Sequence, residues 1–197
     1  HFEIQTDSDH IIEQAVAALR NGAILAIKGI GGYLLTCDAT NPLAVATLRA
    51  RKHRPCKPFA LMYPNAGILQ ADVQLSDLAL QHLQSAAAPI LLLELLAEMK
   101  SGIDHVGIAP GLRKIGAMLP NAPLFELLLH QFGKPIVATS GNISNSPLIY
   151  EDESAQSELR ETADFVLTHN RNITMPQDDS VLSLRKSGKQ TLLRRAR

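Results

Sequence analysis

The sequence predicts an α/β domain with a largely covered sheet. Two observations carry that expectation: short apolar runs alternate with helical segments along the whole chain, and 46% of the 197 residues are apolar, enough for one good core. A helix begins near Asp9, a residue suited to capping it, with Ile12, Ala15, Val16 and Leu19 on one face and Asn21-Gly22 at its end. Two strands, 23–28 and 33–37, flank a bend containing Gly29, Gly31 and Gly32. Asn41 and Pro42 form a cap and first-turn pair, opening a helix to about Arg51. The alternation continues with a strand at 59–63, a helix near 76–85, a strand at 89–95, a helix near 122–131 and a strand at 135–139. It closes with a helix near 152–161, a strand at 164–168, and terminal strands near 180–185 and 190–195 that add an antiparallel edge. There is no internal repeat, heptad or low-complexity tract.

Composition narrows the class. Cys37 and Cys56 form no CxxC pair, so neither a disulfide framework nor a thiolate zinc site is indicated, and a reducing cytoplasm fits. No apolar run reaches the roughly 18 residues of a membrane span, and the first ten residues lack a signal-peptide pattern. A soluble protein is expected. The formal net charge of zero argues against a nucleic-acid binder relying on bulk positive charge. Charge is nonetheless clustered: Arg49, Arg51, Lys52, Arg54 and Lys57 lie together without an acid, and residues 180–197 hold six bases and no acid. A start at His1 and a stop within LLRRAR point to one domain, 1–197, cut from a longer chain.

Four segments are candidates for chemistry. Lys28-Gly29-Ile30-Gly31-Gly32-Tyr33 lies between strands and lacks the Gly-Lys-Ser/Thr ending of a P-loop, so it is either a tight turn or a place where a ligand meets bare backbone. Lys52-His53-Arg54 sits at a helix end before Pro55 and Pro58; it is either a solvated basic terminus or a polyanion site. Thr139-Ser140-Gly141-Asn142 follows a strand at its carboxyl end, where open α/β sheets bind ligands, and is otherwise a simple turn. Asp178-Asp179-Ser180 either orients Mg²⁺ or a ligand hydroxyl, or caps a strand. Neither HExxH nor a Ser-His-Asp set is present, so hydrolytic metal or triad chemistry has little support.

The order of the blocks KGIGGYLLTCDATN, LRARKHRPCKPFALM, IAPGLRKIGAMLPNAPL, PIVATSGNIS, HNRNI, DDSV and LLRRAR resembles the YrdC-like domain of HypF-type carbamoyltransferases over nearly the whole chain. CDATN, RKHRPCKPFA and ATSGNIS together favour that group over stand-alone threonylcarbamoyl-adenylate synthases, whose first loop reads like PTDTVYGL. Phe125-Glu126 stands where the group commonly has His-His, and Pro176-Gln177 where it often has Arg-Cys. The resemblance implies a twisted open mixed sheet covered by helices, with a concave basic nucleotide-binding cleft.

It also implies the chemistry. The YrdC-like domain would adenylate carbamate with ATP and Mg²⁺, releasing pyrophosphate. Carbamate would come from carbamoyl phosphate at an acylphosphatase domain, and the carbamoyl group would pass, through a chain that also holds zinc-finger and C-terminal transferase domains, to a cysteine of HypE for the cyanide ligands of [NiFe] hydrogenase. Carried over by motif, Lys52 and Arg54 hold phosphates and are the catalytic pair. Thr139, Ser140, Asn142 and Ser180 also belong to the ATP site, and Arg194, with Arg195 as the alternative, closes over the nucleotide. Lys28 and Tyr33 line the acyl pocket, and ATP phosphates mainly hold the metal. A threonylcarbamoyl-adenylate synthase is one rival. The other is a double-stranded RNA-binding module, against which stand an aromatic content of 4% and the absence of Trp.

Overall fold

The computed structural model describes residues 8–142, 146–185 and 190–195. Helix α1 (Ser8–Arg20) buries Ile12, Ala15, Val16 and Leu19 on one face. It starts at Ser8, which places Asp9 inside the first turn instead of at the expected cap. Gly22, at φ 81°, turns the chain into β1 (Leu25–Lys28). Only Gly29 to Gly32 separate β1 from β2 (Tyr33–Asp38), so the two strands must run antiparallel. Asn41 caps α2 (Pro42–Arg51) as expected, accepting from the amides of Leu43 and Ala44 at 3.0 and 3.2 Å.

Then come β3 (Ala60–Met62), α3 (Ala66–Gln70), α4 (Asp77–Leu83), β4 (Ile90–Glu94), α5 (His105–Ile108) and β5 (Lys114–Met118). The chain continues through α6 (Pro123–Phe132), β6 (Ile136–Ser140), α7 (Asp152–Glu158), β7 (Phe165–Leu167), β8 (Val181–Leu184) and β9 (Gln190–Arg194). Three of these were not expected from sequence. Helices α3 and α5 have five and four residues, too few to show a helical period. Strand β5 carries Gly116 at its centre, normally a mark against a strand, but a Cβ there would come within 2.9 Å of Ile90 Cγ2 on β4.

Among the described residues the strands form one mixed sheet in the order β7-β1-β2-β6-β3-β5-β4-β8-β9. The β1–β7, β3–β5 and β4–β8 pairs are parallel and the others antiparallel, with the β8–β9 hairpin forming the expected antiparallel edge. Two apolar clusters cover opposite faces. On one, α2, α4 and α7 bring Val45, Leu48, Leu83 and Ala155 into one cluster with Leu35, Leu61, Leu91 and Val137. On the other, α1 and α6 pack Leu19, Phe125, Leu128 and Leu129 against Ile27, Met62 and Ile136. No described helix is long and apolar enough to cross a membrane.

The connection from β7 to β8 has to travel between an edge strand and a strand next to the opposite edge. On the way Gln177 donates its amide to Gly31 O at 2.9 Å, which brings Asp178, Asp179 and Ser180 to the glycine bend.

Leu61 is fully buried in β3 whereas Leu43 on α2 is 79% exposed. Leu61→Ala is expected to cost about 2–5 kcal/mol in denaturant unfolding with an unchanged m value. Leu43→Ala should stay within about 0.5 kcal/mol.

Candidate active site

Helix α2 ends in a reversal that a glycine usually makes. His53 adopts φ 48°, its amide donates to Ala50 O at 3.1 Å, and the amide of Arg54 donates to Arg49 O at 3.0 Å. The turn sends Lys52 and Arg54 together to the end of β6. Lys52 Nζ donates to Ser140 O and Asn142 O, both at 2.6 Å, and to Asn142 Oδ1 at 3.1 Å. Arg54 Nη1 donates to Thr139 Oγ1 at 3.0 Å, and its other nitrogens donate to the carbonyls of Lys57 and Pro58. Ser140 Oγ donates to Asn142 Oδ1 at 2.8 Å. Lys52, Arg54, Thr139, Ser140 and Asn142, distant in sequence, thus meet in one place.

The rest of the basic segment has other work. Arg49 holds the loop in shape, donating to Gly107 O, Ile108 O and Arg54 O at 2.7, 3.1 and 2.6 Å, while Arg51 pairs with Asp164 at 2.8 Å. Arg49 and Arg54 both lie over the Phe59 ring, 4.5 and 5.0 Å from its centre. Burial, then the charges of Arg54 and Lys57, pull Lys52 down to about 8. Burial, then Arg49 and Arg194, pull Arg54 down to about 10.

Arg194 therefore stands close enough for its charge to bear on Arg54. Its guanidinium grips Asp178 two-handed, Nη1 to Oδ2 at 2.6 Å and Nη2 to Oδ1 at 3.2 Å, and Nε donates to Asp179 O at 2.9 Å. Arg195, beside it, is exposed. Ser180 is buried, and its carbonyl accepts from Ile90 N at 2.8 Å, fixing the start of β8 against β4.

Lys28 and Tyr33 have other partners. Lys28 Nζ is 2.6 Å from Asp152 Oδ1 and donates to His169 O at 3.1 Å. Tyr33 Oη donates to the same carboxylate oxygen at 2.6 Å and to Thr168 Oγ1 at 3.1 Å. Lys28 is 2% exposed and Tyr33 fully buried, while the Asp152 side chain they share is 39% exposed, so the two buried groups meet a partly open carboxylate on the α2 and α7 side of the sheet. Burial, then the bond to Asp152, pushes the Tyr33 phenol up. Burial would raise Asp152, but its bonds from Lys28 and Tyr33 hold it below the usual carboxylate range. Burial, then the Lys28 charge, lowers His169.

On the other side of the glycine bend lies a crevice lined by Gly29 to Gly32, Leu34, Asn121, Phe125, Leu148 and residues 177–179; neither Lys28 nor Tyr33 borders it. Sequence reasoning missed Arg49's structural part, Asp152 and Gln177. An acid at a helix start, as Asp152 is, gives no signal of a partner more than a hundred residues away.

The family model for Sua5, YciO and YrdC, described as "Telomere recombination", matches residues 17–196. The chain belongs to the Sua5/YciO/YrdC family. The carbamoyltransferase HypF of Synechocystis sp. is 44% identical to it over 195 residues, 99% of this chain and 25% of that protein. A crystal structure of full-length HypF in the phosphate- and nucleotide-bound form superposes with TM-score 0.88 and 41% identity, covering 94% of this chain and 29% of that one. Within the Sua5/YciO/YrdC family the chain is also 33% identical over 161 residues to the threonylcarbamoyl-AMP synthase of Photobacterium profundum, 79% of this chain and 85% of that protein. The expected resemblance to HypF and the expected mixed α/β fold are borne out. The chain spans about a quarter of the length of the curated HypF proteins it matches.

The lowered Lys52 value carries a testable sign. Between about pH 8 and the ordinary lysine value of 10.5 the unfolded chain holds a proton that the folded chain has released, so this residue's contribution to stability rises with pH across that window. Denaturation of the wild type and of Lys52→Met should differ by an amount that shifts in favour of the wild type from pH 8 to 10. A pH-independent difference would show that Lys52 keeps its ordinary value.

Proposed function

We propose that this chain forms carbamoyl adenylate from carbamate and ATP. A carbamate oxygen attacks the α-phosphorus, a new P–O bond forms, and the bond from that phosphorus to the leaving oxygen breaks with its electron pair departing on pyrophosphate. No enzyme nucleophile takes part, so rate comes from alignment and from neutralising the triphosphate. The observation that carries this reading is the convergence of Lys52 and Arg54 on Thr139, Ser140 and Asn142 at the end of β6. Lys52 lies within the field of Arg54 and Lys57, and a polyphosphate relieves that repulsion. Asn142 Oδ1, farther from Lys52 Nζ than the carbonyls of Ser140 and Asn142, is the contact a phosphate oxygen replaces.

Arg194 closes over the nucleotide by releasing Asp178, and with Lys52 and Arg54 it supplies the charge of a basic cleft. Mg²⁺ enters on the phosphates. Among the described residues no group of three His, Cys, Asp or Glu is placed to hold a metal. In this scheme the full chain is a cytoplasmic HypF, whose acylphosphatase domain frees carbamate and whose zinc-finger and C-terminal transferase domains serve delivery to HypE. A second reading, threonylcarbamoyl-adenylate synthesis, is favoured by the identity to the Photobacterium enzyme. Pyrophosphate release that depends on threonine and bicarbonate would select it.

Lys52→Ala and Arg54→Ala are each expected to weaken ATP binding by about 1.5–3 kcal/mol in calorimetry, under conditions where both variants remain folded. Wild-type affinity should fall as the pH rises beyond 8, since an uncharged Lys52 no longer attracts phosphate, and Lys52→Arg should flatten that fall. Unchanged affinity in both alanine variants removes the assignment.

Division of labour gives another outcome. Supplied with carbamoyl phosphate alone, this chain should release little pyrophosphate from ATP and leave the C-terminal cysteine of HypE unmodified in mass spectrometry. Adding the rest of HypF should restore both. Rapid carbamoylation of HypE by this chain alone would overturn the assignment of steps.

A further inference from the structure

Arg194 reaches the phosphate site from a weakly supported strand. Among the described residues β9 pairs with β8 alone, at the edge of the sheet, and Leu192 and Leu193, whose side chains leave the strand on opposite faces, are both exposed. The ends of such strands open readily. What holds the Arg194 end is its own side chain, which meets both oxygens of Asp178 at 2.6 and 3.2 Å and the carbonyl of Asp179 at 2.9 Å. Both members of the ion pair are partly open to solvent, so either can be exchanged for another partner.

A carboxylate held through two N–H···O contacts offers arginine the same two-oxygen edge that a phosphate does. Asp178 and a phosphate are thus alternative partners for one guanidinium. The acid is also held in place without Arg194: Gln177 N, one residue before it, donates to Gly31 O at 2.9 Å, and Asp178 Oδ1 accepts from Asp179 N at 2.9 Å. It cannot simply follow the arginine toward a ligand. Its charge moreover stands against the repulsion that Arg54 and Lys57 exert on Lys52. One carboxylate therefore offsets the cations of the site, and the same carboxylate repels a polyphosphate that approaches them.

We propose that Asp178 is a built-in competitor for the phosphates of the nucleotide: it holds Arg194 until a phosphate replaces it and recaptures Arg194 as pyrophosphate leaves. The inference rests on the adenylation reading for the identity of the anion. It makes Asp178 a positioning residue that acts through Arg194, weakening ATP binding and speeding release. The sign of the effect separates this role from the other uses of an acid at this place, since holding Mg²⁺ or a ribose hydroxyl would strengthen nucleotide binding.

The test is calorimetry of Mg²⁺-ATP and of pyrophosphate on the whole chain at pH 6.5, where Lys52, at about 8, keeps its proton. Asp178→Asn removes the charge and keeps an oxygen to accept from Asp179 N; Asp178→Ser does the same with a shorter side chain. Each should bind ATP about three- to fivefold more tightly, the weight of one partly exposed ion pair, and should release a fluorescent ATP analogue more slowly in stopped flow. Arg194→Gln should bind ATP more weakly, and in that background Asp178→Asn should give a clearly smaller gain. Unchanged or weaker ATP binding in the folded Asp178 variants overturns the inference and leaves adenylation standing. An equal gain with and without Arg194 also overturns it, because the acid would then act through its field alone. Failure of the wild type to bind either ATP or pyrophosphate overturns the adenylation reading, and the inference with it.

Discussion

An almost wholly buried ammonium joins the two halves of the candidate site. Lys52, 3% exposed, reaches the carbonyls of Ser140 and Asn142 and the Asn142 side chain, so the end of α2 and the turn after β6 are fixed with respect to each other by one group. A buried cation is expensive unless its hydrogens are bonded, and here they are. The left-handed His53 is the backbone feature that makes this reach possible, because it ends the helix one residue after Lys52 and turns Arg54 back toward Thr139. Without that reversal the two cations, two positions apart on a helix, would point to different sides.

The cluster of five cations resolves into separate tasks once the loop is seen in three dimensions. Arg49 uses its fork to gather carbonyls from the end of α5 and from the loop after α2, a job lysine's single ammonium could not do. Arg51 meets Asp164, whose other carboxylate oxygen caps Ile24 N at 2.8 Å. Lys52 and Arg54 are left with lowered proton affinity, the state in which an incoming anion gains most. Mutual repulsion in the segment is therefore partly quenched by structure and partly kept.

Much of this was legible. The interleaving of apolar runs and helical periods gave the α/β class because each strand needs cover on both faces, and Asn41-Pro42 marked α2 through chemistry local to the chain. Lys52, Arg54 and the Thr139–Asn142 turn stood out as candidates, but a solvated helix end and a simple turn explain such segments as well; the resemblance singled them out, and their meeting depends on packing between distant parts of the chain. Strand β5 was hidden because its glycine answers to Ile90, twenty-six positions away in sequence and adjacent only after pairing. The direction of Lys28 and Tyr33 was equally hidden: both flank the glycine bend, but residues paired across a hairpin share a face, and only the packing shows that this face meets Asp152 at the start of α7.

The three glycines between β1 and β2 gain a specific reason from the sheet order. A strand order that sends the β7–β8 connection from one edge toward the other makes a second backbone pass close to the bend, and the Gln177 amide bonds to Gly31 O. Gly29 is spaced 3.0 Å from Gly32 O and Gly31 2.1 Å from Gln177 O when a Cβ is placed on each, so side chains are excluded by backbone on both counts. None of the three has a left-handed φ. Conformational freedom is thus not what demands glycine here; close approach of chain to chain is, and the crevice it leaves is bounded by bare amides because nothing larger than hydrogen fits on those carbons.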